Sequence, residues 1–143
     1  ITRAAGMFSK VIVLVSTNAN KSPVFSTEER ISMLKAATIH LDNVVIDSYD
    51  GLLADYTKKV DAGAIVKGLR AMSDFEYEFQ MALANKKLNP ATETIFLTTK
   101  AENMYLSSSM VKQIASMGGD ISDFVPPVIH KAVLNRLNRK DGK

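Results

Sequence analysis

Apolar residues follow two alternating patterns along this chain. Short continuous runs rich in Val and Ile are separated by longer segments with apolar residues three and four positions apart. The runs Lys10–Ser16, Asn43–Ser48, Ala64–Val66 and Glu93–Thr98 are predicted strands. The first has no polar alternation, so it reads as a central parallel strand buried on both faces. The periodic segments are predicted helices. Ile1, Ala5 and Phe8 share one face of an opening helix. Ser26-Thr27-Glu28-Glu29 is a capping box that starts a helix running to about Leu41, with Ile31, Leu34, Thr38 and Leu41 on one face. Leu52 to Ala62 is a helix ended by Gly63. Another opens at Ser73 or Asp74 and stops at Leu88, before Asn89-Pro90. A fifth runs from Ser107-Ser108-Ser109 to Met117, with Gly118-Gly119 as its stop. The last starts at Pro127 and carries Val128, Ile129, Ala132, Val133 and Leu137. Strands alternating with helices predict an α/β fold, a Rossmann-like parallel sheet with helices on both faces. The 143 residues are read as one domain, 1–143.

Composition narrows the function classes. Apolar content of 46% and charged content of 23% are ordinary for a globular chain. No apolar run approaches a membrane span, and no signal or transit segment is visible. The chain has no cysteine, which excludes a disulfide framework, a thiolate metal site and a cysteine nucleophile, and fits a cytoplasmic protein. The net charge is +3 and the pI about 9.1. Part of that excess sits in the tail at Arg136, Arg139, Lys140 and Lys143, where fraying is expected. A mildly basic surface suits phosphorylated ligands or nucleic acid. No aromatic residues interleave with the basic ones as a single-strand binder requires, so no nucleic-acid partner and no membrane are assigned.

In an open parallel sheet, ligands bind beyond the carboxyl ends of the strands. Four segments are expected there: the Lys21 loop (Thr17–Phe25), the Leu52-Leu53 turn, Lys67 to Arg70, and Asn103 to Ser109. The third organises the chain. Ala64-Ile65-Val66 reads as strand, and Lys67-Gly68-Leu69-Arg70 as a tight turn into a helix. Gly68 allows close backbone approach, two cations flank it, and the helix start adds N–H groups. This describes a phosphate site; the alternative is a turn with two solvated cations. Lys21 reads as a cation within reach of a transferring phosphate, or as a solvated loop lysine. Ser107-Ser108-Ser109 reads as a set of phosphate donors, or as a helix cap with two spare serines. Glu78 reads as a ligand contact, or as helix-surface charge. His40 and His130 are assigned no role. No metal cage is visible, so any Mg²⁺ would be held by phosphates and water. There is no G-x-G-x-x-G and no P-loop.

Lys67-Gly68-Leu69-Arg70 followed by Asp74-Phe75-Glu76-Tyr77-Glu78 resembles the central signature of the phosphopantetheine adenylyltransferases, a bacterial family of coenzyme A synthesis. Phe25 to Arg30 is similar to the family's segment after its lysine loop. Leu106-Ser107-Ser108-Ser109 with Val111-Lys112 resembles its serine motif, and Gly119 to Pro126 its late corner. The resemblance implies a nucleotidyltransferase-type fold and adenylyl transfer from ATP to 4′-phosphopantetheine, giving dephospho-CoA and pyrophosphate with Mg²⁺. Carried over by position, Lys21, Leu53 and Lys67 contact phosphopantetheine. Gly68, Leu69, Arg70, Glu78, Asn103, Met104, Tyr105, Leu106, Ser107, Ser108 and Ser109 bind ATP. Lys21 and Arg70 are the expected catalytic cations. Lys67 replaces an arginine common in the family, keeping the charge but losing the bidentate fork. Coenzyme A is an implied product-like or feedback ligand, and a homohexamer the implied assembly.

The family begins with a strand and a glycine-rich turn ending in Gly-His, and nothing here matches it. The chain is therefore expected to lack roughly twenty residues at its front, one strand and the start of one helix. Two further readings stay open. One is an ATP- or coenzyme A-binding fragment without catalysis. The other, a weak basic nucleic-acid binder, rests only on pI.

Overall fold

A computed structural model describes residues 1–16, 23–70 and 72–138. The chain divides into two compact units, residues 1–49 with 106–143, and residues 50–105.

The first unit opens with a single helical turn, α1 (Thr2–Ala5), rather than a helix reaching Phe8. Gly6, a poor helix former, follows that turn. Strand β1 (Val11–Ser16) pairs in parallel with β2 (Val44–Tyr49), Val11 opposite Val44 through Ser16 opposite Tyr49. Asn43 ties α1 to this pair: its side-chain amide donates to the carbonyls of Ala5 and Phe8, each at 2.8 Å. In β1 only Val15 is buried; Val11 to Leu14 are half-buried. Coverage on both faces is thus partial, and β2 is the strand's one in-plane neighbour among the described residues. Helix α2 (Thr27–Thr38) starts at the expected capping box. Ser26 Oγ accepts from the Glu29 N–H at 3.2 Å, and Glu29 Oε2 accepts from the Ser26 N–H at 2.8 Å. The helix ends at Thr38, short of Leu41, so His40 lies beyond it.

The first unit's core joins α5 (Ser108–Ser116) to α6 (Pro127–Leu137). Val111, Ala115, Ile121 and Val133 are buried, and Phe25, Leu106, Phe124 and Ile129 pack around them. Gly118 and Gly119 stop α5 as expected. Gly118 takes the left-handed φ of 78°, its N–H donating to Ala115 O at 3.0 Å, while the Gly119 N–H donates to Ile114 O at 2.9 Å. This is a Schellman cap, and it needs the missing Cβ at Gly118. Arg136 fastens α6 to the segment before α2. It donates to Val24 O at 2.7 Å, pairs with Glu29, and lies 5.0 Å from the Phe25 ring centre.

The second unit contains α3 (Leu53–Lys59), β3 (Ala64–Leu69), α4 (Met72–Leu88) and β4 (Glu93–Thr98). Strands β3 and β4 run parallel, with Lys67 opposite Phe96 and Leu69 opposite Thr98. Three expectations change here. Asp61, not Gly63, closes α3. It adopts φ 50°, and the Ala62 N–H donates to Thr57 O at 2.9 Å in the same kind of cap. A short polar side chain tolerates that conformation. Gly63 instead begins the strand pairing, accepting from the Glu93 N–H at 3.0 Å. Strand β3 extends past Val66, so Lys67, Gly68 and Leu69 are strand residues and not a turn. Ladder bonds to β4 outweigh the turn propensity of one glycine. Helix α4 begins at Met72, which puts Ser73 and Asp74 inside its first turn.

A buried polar cluster holds the amino ends of β3 and β4. Asn89, after α4, donates from its amide to Thr57 Oγ1 at 3.0 Å and to Thr92 Oγ1 at 2.7 Å. Thr57 and Thr92 in turn donate to Ala54 O and Ala62 O, both at 2.8 Å. All three side chains are buried.

Candidate active site

The carboxyl end of β3 carries the centre of the candidate site. The side chains of Lys67 and Leu69 alternate with Gly68 along the strand, and all three positions are locked in register by β4. A Cβ built at Gly68 would meet nothing within 4 Å, so its backbone is openly approachable. The glycine sits in a strand and not in the expected turn. Arg70 follows directly and is exposed.

Aromatic docking places α4 over this strand end. Phe75 lies edge-on to Phe96 with ring centres 5.9 Å apart, and stacks with Phe79 at 5.5 Å. Phe96 is the register partner of Lys67. Glu78 comes three residues after Phe75, on the same side of the helix. Its Oε2 therefore approaches Lys67 Nζ to 3.3 Å. Both side chains are partly buried, 34% and 24% exposed, where a charge pair is screened less than at an open surface. The contact is electrostatic: Oε2 is buried and accepts no well-aligned hydrogen bond from the described residues.

The other expected residues of this unit are Leu53, the half-buried first residue of α3, and Asn103, Met104 and Tyr105. Asn103 ends a single 3₁₀ turn, Ala101–Asn103, and its N–H donates to Lys100 O at 2.9 Å. Met104 and Tyr105 are exposed.

Leu106 to Ser109 belong to the first unit. Leu106 packs on its core. Ser107 caps α5, its Oγ accepting from the Met110 N–H at 3.2 Å and lying 3.1 Å from Ser109 Oγ. Ser108 and Ser109 are exposed. The serine run is thus a cap with two further hydroxyls at a helix start, where N–H groups and dipole favour anions. Lys21 lies outside the described residues, as do Thr17 to Ser22 and the tail from Arg139 to Lys143.

Among the described residues no three His, Cys, Asp or Glu side chains converge as metal ligands. His130 has an acidic neighbour. Its Nε2 lies 4.0 Å from Asp120 Oδ1. Asp120 is held below the usual carboxylate range, first by the Ser122 N–H at 2.9 Å, then by the Ser122 hydroxyl. Asp120 and His130 thus lie side by side at the corner before α6, with no hydrogen bond between them.

Sequence reasoning assigned Lys67 and Glu78 to different ligands and missed their contact. Eleven positions separate them, one on a strand and the other on a helix, so no local period joins them.

The comparisons with known proteins bear on this arrangement. The family model described as cytidylyltransferase-like matches residues 1–114. A phosphopantetheine adenylyltransferase of Caldanaerobacter subterraneus subsp. tengcongensis is 54% identical over 139 residues, covering 97% of this chain and 87% of that protein. The chain belongs to the phosphopantetheine adenylyltransferase family. The phosphopantetheine adenylyltransferase of Heliobacterium modesticaldum is 53% identical over 142 residues, 99% of this chain and 82% of that protein. That of Dictyoglomus turgidum is 49% identical over 140 residues, 98% and 88% respectively. Family membership places the chain among the nucleotidyltransferases and agrees with the parallel α/β pairing of its strands. No helix among the described residues is long and apolar enough to cross a membrane.

Proposed function

We propose that this chain transfers the adenylyl group of ATP to 4′-phosphopantetheine, forming dephospho-CoA and pyrophosphate in the penultimate step of coenzyme A synthesis. The observation that carries the proposal is identity of 49–54% to proteins of that name across nearly the whole chain. The four motifs of the sequence, in family order, support the same reading.

The chemistry is an in-line displacement. A phosphate oxygen of 4′-phosphopantetheine bonds to the α-phosphorus of ATP. The bond from that phosphorus to the bridging oxygen of the β-phosphate breaks, and pyrophosphate leaves with the electron pair. No covalent enzyme intermediate is required. The protein's part is positioning and charge stabilisation. Lys67, with Lys21 and Leu53, holds the acceptor. Gly68, Leu69, Arg70, Glu78 and residues Asn103 to Ser109 hold ATP. Lys21 and Arg70 supply positive charge to the reacting phosphorus. Mg²⁺ enters with the triphosphate, carried by phosphate oxygens and water, the mode in which this ion needs few protein ligands. Dephospho-CoA and coenzyme A occupy the acceptor side as product and feedback ligand. We place the protein in the cytoplasm, with its soluble substrates. Large exposed apolar side chains on α4, among them Tyr77 and Leu83, support self-association, for which the family implies a hexamer.

The test is pyrophosphate release from ATP and Mg²⁺, with and without 4′-phosphopantetheine. Release that requires the acceptor, with dephospho-CoA as the second product, is the expected result. ATP binding without acceptor-dependent release would leave a nucleotide-binding module and overturn the assignment.

A further inference from the structure

We propose that Glu78 is a positioning residue that acts through Lys67 and sets how strongly the β3 edge binds a phosphate. The proposal deepens the reading above, since it rests on Lys67 being a contact of the acceptor phosphate.

Lys67 projects from a strand position fixed by its register with Phe96, and Glu78 is held over it by the Phe75–Phe96 docking of α4. The two charges are 3.3 Å apart and partly buried, so each is largely neutralised by the other. An arriving phosphate must take Lys67 Nζ from this carboxylate, or share it. Sharing brings two anions together around one ammonium. Displacement leaves Glu78 Oε2, which is buried and accepts no hydrogen bond from the described residues, without its counter-charge. Either way Glu78 opposes phosphate binding. Lysine suits such a contest, because its ammonium is a compact charge on a flexible stem and can swing between partners. A phosphate monoester dianion carries more charge than the carboxylate and can win. A singly charged anion has no such advantage. Glu78 thereby makes Lys67 selective for a doubly charged acceptor and keeps weaker anions off it.

The probe is inorganic phosphate, its affinity measured by calorimetry on the intact chain. Glu78→Gln keeps the side-chain shape and removes the counter-charge. It should bind phosphate about tenfold more tightly than wild type, equivalent to about 1.4 kcal/mol. The gain must pass through Lys67: Lys67→Met and the double variant Lys67→Met/Glu78→Gln should bind phosphate equally weakly. Glu78→Ala should reproduce the gain if charge is the cause, and thermal melting of each variant establishes that it folds. In turnover, Glu78→Gln should lower the KM for 4′-phosphopantetheine, a direction that neither loss of an ATP contact nor simple loosening of α4 would produce. Unchanged or weaker phosphate binding by Glu78→Gln would overturn the proposal, and so would a gain that persists without Lys67. Should wild type show no adenylyl transfer, the functional assignment fails, while phosphate calorimetry still decides the role of the pair.

Discussion

Asn89→Ala tests how the second unit is held together. The Asn89 amide donates to two threonine hydroxyls, at 2.7 and 3.0 Å. Both threonine protons are already committed to carbonyls, Thr57 to Ala54 O and Thr92 to Ala62 O. The amide is therefore the group that supplies the donors these buried oxygens need. Alanine removes both donated bonds, each contributing about 1 kcal/mol, together with the longer bond that Oδ1 accepts from the Ala91 N–H at 3.3 Å, and adds a small cavity term at a side chain only 6% exposed. The expected loss is about 2–3 kcal/mol by urea denaturation, or roughly 8 °C in Tm for a chain of this size. Asn89→Asp should cost more, because an acceptor-only carboxylate would face oxygens whose protons point elsewhere. Asn89→Ala and Thr92→Val should combine non-additively, since they remove one shared bond. The cluster grips the amino ends of β3 and β4, whereas Lys67 to Arg70 lie toward the other end of the six-residue β3. Turnover per folded molecule should consequently stay near wild type. Stability within 0.5 kcal/mol of wild type would refute the assigned hydrogen bonds. Loss of activity without loss of stability would refute the separation of cluster from site.

Arg70→Ala and Lys21→Ala should each lower turnover by roughly two to four orders of magnitude, the scale of losing one electrostatic donor to the transition state; near-normal kcat in both would remove them from the chemistry. Gly119→Ala would put a Cβ 2.6 Å from Ile114 Cγ2 and 3.1 Å from Ile114 O, so about 1–3 kcal/mol should be lost on unfolding, and an unchanged midpoint would show that the α5 cap tolerates a side chain. Glu29 is held below the usual carboxylate range, first by the Ser26 N–H and then by Arg136. A carboxylate with a lowered folded pKa stabilises the protein above its unfolded pKa, and that contribution disappears as pH falls through the folded value. The wild-type Tm should therefore drop on acidification below the ordinary glutamate range, and Glu29→Gln should drop less; parallel curves for the two proteins would contradict the capping-box assignment.

The elements were legible in the chain where local chemistry decides them. The Ser26 capping box, the Gly118-Gly119 stop, Pro127 at a helix start and the four β-rich runs each act within a few residues, and each appears where expected. Asp61 at the end of α3 was not legible. Glycine is the usual signal for a left-handed residue, and Gly63 stood two positions away. Nor was the strand character of Lys67 to Leu69, which ladder bonds to β4 decide.

For the candidate site, the residue types were set by the sequence alone: a lysine, a glycine and an arginine at a strand end, and serines at a helix start. Those motifs also carried the family resemblance. Tertiary structure alone decided which charges meet. The Lys67–Glu78 pair depends on α4 packing through Phe75 onto Phe96, and the Asn89 cluster on two segments some thirty residues apart in sequence. The physical reason is range. Caps, turns and strand propensity are fixed by neighbours along the chain, whereas the distance between two charges on different elements is set by how their apolar faces pack.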